Sequence, residues 1–192
     1  MTKYGFAINL HRCIGCRTCT ISCKMENLSP EGVQRIRVLN PEDEVIYDRP
    51  KGTYPKLTMT WTPVPCQHCE TPPCVIVCPV AATEKRPDGI VTIDKEKCTG
   101  CRSCVTACPY GARQFDPEAL KADKCTLCLH RLDAGLEKTV CQMSCPGRAI
   151  VVGDSEDDTS ELARIIRENK TSLLFEEEGT GPQVYYWDSV KG

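Results

Sequence analysis

Sixteen cysteines fall into four sets of four, and this pattern constrains the fold more than any other feature of the chain. The first set, Cys13, Cys16, Cys19 and Cys23, returns in register as the third set, Cys98, Cys101, Cys104 and Cys108. A glycine and an arginine recur with it, Gly15 and Arg17 matching Gly100 and Arg102. The second set is Cys66, Cys69, Cys74 and Cys78, and the fourth is Cys125, Cys128, Cys141 and Cys145, stretched by residues 129–140 between its second and third cysteines. Only three Phe and two Trp occur in 192 residues, so a large apolar core is not expected.

Three thiolates at i, i+3 and i+6 with a fourth close by suit a compact inorganic cluster, because one tight loop can wrap three corners of a cube. This is the spacing of the bacterial ferredoxin run. Gly15 and Gly100 lie where such a loop must turn sharply. Pro79, Pro109 and Pro146 each follow the last cysteine of a set and complete the Cys-Pro ending, whereas the first set has Lys24 there. A secreted disulfide scaffold is disfavoured because disulfides do not need this spacing, and no basic, apolar leader opens the chain. Structural zinc uses separated pairs rather than three cysteines within seven residues. The haem signature Cys-x-x-Cys-His is absent, and the three histidines read as surface residues or residues behind the sulfurs.

In two-cluster ferredoxins the fourth cysteine of a run ligates the other cluster, so runs work in pairs. Four runs can pair in more than one way. The second and third are separated only by residues 79–97, and they are paired here, leaving the first with the fourth. The expected ligand sets are Cys66, Cys69, Cys74 with Cys108; Cys98, Cys101, Cys104 with Cys78; Cys13, Cys16, Cys19 with Cys145; and Cys125, Cys128, Cys141 with Cys23.

The expected fold is α+β: two ferredoxin-like units of the bacterial two-cluster type, a β-rich insertion and a C-terminal extension. Residues 4–26 with 120–152 form the outer unit, 27–65 the insertion, 66–119 the inner unit, and 153–192 the helix and tail. Tyr4 to Leu10 reads as a strand and Thr18 to Met25 as a helical turn. Ala82 to Lys85 and Ile90 to Ile93 should close a hairpin over Pro87-Asp88-Gly89. Val33 to Val38, Glu44 to Tyr47 and Lys56 to Trp61 read as strands covering one flank of the cluster body, either as plain packing or for docking a partner. Ala149 to Val152 reads as a strand. Asp157 to Ser160 should cap a helix through about Asn169, with Leu162, Ile165 and Ile166 on one face. Leu173, Leu174, Phe175, Val184, Tyr185, Tyr186 and Trp187 should pack on their own domain or meet another subunit.

Formal charge is −2 with cysteines neutral. Four cubanes at about −2 each bring the loaded chain to about −10, which argues against nucleic acid as a partner. The longest nearly apolar run is nine residues, Cys74 to Ala82, well short of the roughly 20 needed to span a bilayer. Arg12, Arg17, Lys24, Lys97, Arg102, Lys124, Arg131 and Arg148 crowd the cysteine loops, either for charge balance or to favour the reduced cluster. No nucleophile-and-base pair and no phosphate loop is present, so the chain is not expected to be an enzyme on its own.

With the second run spaced Cys-x2-Cys-x4-Cys-x3-Cys-Pro and the fourth stretched, residues 4–152 resemble the iron–sulfur subunits of the dimethyl sulfoxide reductase family of molybdopterin oxidoreductases. All sixteen cysteines are kept, unlike the nitrate reductase relative with its tryptophan, and the membrane helix of the formate dehydrogenase relative is missing. The resemblance implies an electron-transfer subunit with four 4Fe-4S clusters. It would stand between a large molybdopterin catalytic subunit, holding molybdenum or tungsten, and a quinol-reactive membrane anchor. Such a chain would be soluble and peripheral to the cytoplasmic membrane through its partners. The alternative is a four-cluster polyferredoxin serving a hydrogenase, a carbon monoxide dehydrogenase or a formate-hydrogen system.

Overall fold

The structure, a computed structural model, describes residues 2–40 and 51–188; the strand expected at Glu44 to Tyr47 lies outside them. In chain order the elements are β1 (Tyr4–Asn9), α1 (Thr18–Asn27), β2 (Ile36–Leu39), β3 (Lys51–Thr53), β4 (Lys56–Thr58), β5 (Thr62–Pro65), α2 (Pro73–Ile76), β6 (Thr83–Lys85), β7 (Val91–Ile93), α3 (Ser103–Thr106), β8 (Gln114–Asp116), β9 (Lys121–Asp123), α4 (Leu129–Asp133), α5 (Val140–Ser144), β10 (Ile150–Asp154), α6 (Glu161–Glu168) and β11 (Val184–Trp187), with a 3-10 turn at Glu176–Glu178. Short helices and strands alternate with cysteine loops, which is the expected α+β class.

One three-stranded sheet holds the chain together, in the order β10-β1-β11. Strand β1 runs antiparallel to β10, Tyr4 opposite Asp154 and Ile8 opposite Ile150. It runs parallel to β11, Phe6 opposite Val184 and Asn9 opposite Trp187. Phe6, Ile8, Val184 and Tyr186 are buried on one face, while Ala7, Val151 and Trp187 pack with Leu162 and Ile165 of α6 on the other. Helix α6 begins as its sequence predicts: the Ser160 hydroxyl accepts from the Ala163 N–H at 3.0 Å. Val184, Tyr186 and Trp187 are thus packed against their own chain, whereas Phe175 stays half exposed beside Tyr110, ring centroids 5.9 Å apart.

The hairpin β6–β7 forms with Thr83 opposite Ile93, its turn closed by the Gly89 N–H donating to the Arg86 carbonyl at 3.0 Å. A second hairpin, β8–β9, has Gln114 opposite Asp123 and was not expected from sequence. The Lys56 to Trp61 expectation is corrected. Only Lys56–Thr58 is a strand, it is exposed and pairs with β3, and Leu57 and Met59 are half exposed. The flank is covered instead by the ribbon β2–β5, Ile36 opposite Pro65 and Leu39 opposite Thr62, which buries Ile36, Val38 and Val64. Prolines 63 and 65 let β5 serve as an edge strand, since each lacks a ladder donor.

Candidate iron–sulfur centres

The loop geometry repeats where the sequence does not. The third residue of the opening Cys-x-x-Cys pair in each of the four sets has positive φ: Gly15 (67°), His68 (43°), Gly100 (72°) and Leu127 (55°). Glycine meets this demand in two loops. In the other two a side chain is held left-handed at about 1–2 kcal/mol, offset by surrounding packing, for both His68 and Leu127 are buried at 1% exposure. After each Cys-Pro ending the chain turns again at Ala81 (φ 48°), Gly111 (φ 56°) and Arg148 (φ 47°). Where Lys24 replaces the proline the chain does not turn. Helix α1 runs on for ten residues, against four in α2 and α3. The Lys24 ammonium donates to the carbonyls of Pro30 at 2.6 Å and Val33 at 3.2 Å, anchoring the start of the next segment.

The cysteines gather across these loops. Cys13, Cys16, Cys19 and Cys145 line one largely apolar cavity with Val38, Pro63 and Ile150. Cys23, Cys125, Cys128 and Cys141 line another with Phe6, Ile36 and Leu127. Cys69 lies close enough to Cys66, Cys74 and Cys108 to feel their charge. Cys74, Cys98 and Cys104 share a buried apolar group with Ala82, Val91 and Ala122, and Cys78 packs against it. Among the described residues no three His, Cys, Asp or Glu side chains converge tightly enough for a single metal ion. In two of the sets the four cysteines line a shared cavity instead.

Electrostatics fit an occupant that carries positive charge. Burial first, then neighbouring thiols, pushes Cys19, Cys23, Cys125 and Cys141 up to about 12 and Cys69 to about 11. Bare thiols packed this way resist ionisation, and iron reverses that by binding the thiolate. Cys78 differs. Burial would raise it, but the N–H groups of Val80, Thr83 and Ala82 outweigh burial and lower it, the Ala82 N–H lying 3.2 Å from the sulfur. Further donors reach sulfur from Ala149 N–H to Cys145 (3.3 Å), Leu127 N–H to Cys125 (3.4 Å) and Asn27 Nδ2 to Cys23 (3.4 Å). The donor set and the space it encloses suit 4Fe-4S clusters.

Comparison with known proteins agrees. The family description "4Fe-4S dicluster domain" matches residues 57–155, and a second of the same description matches residues 12–83. A tetrathionate reductase subunit of Salmonella typhimurium is 44% identical over 96% of this chain and 72% of its own length. A polysulfide reductase polypeptide of Wolinella succinogenes is 35% identical over 99% of this chain and 96% of its own. A Halobacterium salinarum protein assigned as the iron–sulfur subunit of a dimethyl sulfoxide reductase is 44% identical over 97% of this chain and 79% of its own. The chain belongs to the iron–sulfur subunits of the dimethyl sulfoxide reductase family. Its 4Fe-4S clusters make it an electron-transfer subunit, not the catalytic one, and the polyferredoxin alternative is not favoured.

For this iron–sulfur subunit the eight basic residues named from sequence divide sharply. Arg17 and Arg102, both with positive φ, lie over the rings of Trp61 (5.9 Å) and Phe115 (3.7 Å). Arg131 pairs with Glu26 at 3.1 Å, which also meets His130 at 2.9 Å. Arg12 and Lys97 are exposed, whereas Lys124 is buried. Sequence reasoning passed over Arg113. It is 2% exposed, with Nη2 donating to the Cys74 sulfur at 3.0 Å and Nη1 to Thr83 Oγ1 at 3.1 Å. A buried His68, whose Nδ1 accepts from the Val91 N–H at 3.0 Å, completes this polar pocket.

Proposed function

We propose that the chain carries four 4Fe-4S clusters in two ferredoxin-like units and relays electrons between a quinol-reactive membrane subunit and a molybdopterin catalytic subunit. The units are residues 4–26 with 120–152 and residues 66–119. The ligand sets are the four derived above, three sulfurs from one run and the fourth from its partner run. The observation that carries this reading is the pair of cavities, each bordered by three cysteines of one run and one of another. When bound, the clusters supply one-electron chemistry. The chain's part is to space them, exclude water and set their charge environment.

Their order is supported by which thiols feel one another. Cys141 feels Cys19, Cys125 feels Cys66, and Arg113 feels both Cys74 and Cys104. The sequence of sites is therefore Cys13-set, Cys125-set, Cys66-set, Cys98-set. Among the described residues only Cys16 and Cys101, one in each terminal set, are exposed cysteines. Exposed apolar residues accompany them, Ile14 beside Cys16 and Ile76, Val80 and Leu120 near the other end. These are the two faces on which partners would dock.

The test is anoxic affinity purification of the chain from its native host, with metal assay and partner identification. About sixteen irons per chain, as four cubanes require, with a large partner holding molybdenum or tungsten, is the expected result. Eight irons would overturn the four-cluster reading, and a nickel-bearing partner would overturn the molybdopterin one.

A further inference from the structure

A basic residue stands immediately before three of the four sets, as Arg12, Lys97 and Lys124. Two are exposed, and Lys124 is 1% exposed. Its ammonium donates to the carbonyls of Val91 and, at 2.8 Å, Cys125. The N–H of the same residue donates to the buried His68 ring, so Val91 is held through both its N–H and its carbonyl. Arg113, also buried, is bonded to Thr83 and to the Cys74 sulfur, and its Nε has no partner. Among the described residues neither cation has a carboxylate within ion-pair range; the buried Asp123 next to Lys124 is taken by Arg35 at 2.9 Å and Lys95 at 3.3 Å.

Two buried cations without carboxylates need a counter-charge, because an uncompensated charge in a dry interior is strongly disfavoured. Burial first, and then the neighbouring Arg113, works against the Lys124 charge, and the groups that favour it are sulfurs: Cys66 and Cys74 from one set and Cys125 from the next. Arg113 looks toward Cys74 and Cys66, and then toward Cys104. Arg113 occupies the place, five residues after the final cysteine of its set, where Thr83 stands after Cys78 and Ile150 after Cys145. The repeat is broken here by charge, beside the Cys66-set and facing the Cys98-set.

We propose that Lys124 and Arg113 are built-in counter-charges of the two central clusters, and that they raise the reduction potentials of those clusters relative to the terminal two. Adding an electron makes a cluster more negative, so a fixed positive charge nearby in a low-dielectric interior favours the reduced form. Lys124 lies between the Cys66-set and the Cys125-set and acts on both. Arg113 touches Cys74 and acts chiefly on the Cys66-set. The inference rests on the four-cluster reading above.

The experiment is an anoxic redox titration followed by electron paramagnetic resonance on the purified full chain, comparing wild type with Lys124→Met, Lys124→Arg and Arg113→Gln, each assayed for iron. Lys124→Met keeps the side-chain length and removes the charge. In it, two of the four midpoint potentials should fall, each by at least a tenfold change in the oxidised-to-reduced ratio, about 59 mV for one electron. Lys124→Arg should leave all four near wild type, and Arg113→Gln should lower one. Fully loaded Lys124→Met with unmoved potentials, or with all four lowered equally, overturns the proposal. If Lys124→Met does not hold its iron while Lys124→Arg does, Arg113→Gln decides: one lowered potential supports the proposal and none overturns it. Fewer than four cluster signals in the wild type would sink the four-cluster reading and this inference with it, an outcome distinguishable because it needs no variant.

Discussion

Alanine at Gly15 should destabilise the first cysteine loop by roughly 2–5 kcal/mol, the sum of a backbone cost and a packing cost. The backbone sits at φ 67°, where an L side chain costs about 1–2 kcal/mol. A Cβ there would also run into the Trp61 indole, with Nε1 2.7 Å away. Trp61 is 6% exposed and cannot swing free, so overpacking adds about 1–3 kcal/mol. Gly135 supplies the control: φ is 75° and nothing lies within 4 Å of its added Cβ, so Gly135→Ala carries the backbone cost alone, about 1–2 kcal/mol. The assay is guanidinium unfolding under anoxia, read by loss of cluster absorbance. Midpoints should be compared rather than extrapolated free energies, since bound cofactors break two-state behaviour. Gly15→Ala should unfold well before Gly135→Ala, and Trp61→Leu should remove most of the extra penalty in the double variant. Equal midpoints for the two alanine variants, or a penalty unchanged in the Trp61→Leu background, would mean that the indole is not the obstacle.

Cys78→Ser should abolish the cluster on Cys98, Cys101 and Cys104 while leaving that on Cys66, Cys69 and Cys74 whole, as read from the magnetic resonance signals; loss of the latter alone would show that the runs do not cross. Tyr186→Phe removes a buried hydroxyl that donates to the Pro63 carbonyl at 2.9 Å and should lower stability by about 1–3 kcal/mol in a thermal melt; an unchanged melt would mean that carbonyl finds another donor. Glu70 is held down to about 2, first by its hydrogen bond from Lys3 and then by that from Lys85. Its folded pKa lies below the unfolded value of about 4.3, so its contribution is present above that value and is lost as pH falls toward about 2. The pair is half exposed on the Glu70 side, so Glu70→Gln should cost under about 1 kcal/mol at pH 7. That difference should shrink between pH 5 and pH 3, and a difference constant over this range would exclude the carboxylate as its source.

What could be read from the chain was local chemistry. The cysteine spacing, Gly15 and Gly100 in tight loops, the Asp88-Gly89 hairpin and the Ser160 cap depend on residues a few positions apart, and each was legible for that reason. What escaped depends on partners far along the chain. The β8–β9 hairpin has no glycine turn, and is closed instead by Asp116, whose carboxylate accepts from the N–H groups of Glu118 (3.0 Å) and Ala119 (2.9 Å). His68 and Leu127 adopt positive φ because the loop requires it and the surrounding packing holds them there, although neither residue type signals it. Lys124 and Lys97 occupy the same place before a cysteine set, and nothing nearby in sequence tells that one is buried and the other exposed.

The sheet β10-β1-β11 joins a strand that begins at Tyr4 to strands that begin at Ile150 and Val184. During synthesis the ribosome releases Tyr4–Asn9 long before either neighbour exists. The hairpins β6–β7 and β8–β9 can close as they emerge, because their strands lie within about a dozen residues of each other. Strand β1 must wait with Phe6 and Ile8 uncovered, and contacts that distant form slowly because loop closure precedes their reward. In the proposed ligand set Cys13, Cys16 and Cys19 wait with it, since Cys145 lies just before Ile150 opens β10. Any factor that delivers iron and sulfide to this loop therefore meets a nearly complete polypeptide rather than a nascent one, and a chaperone covering β1 would guard the loop's thiols from oxygen through the same interval.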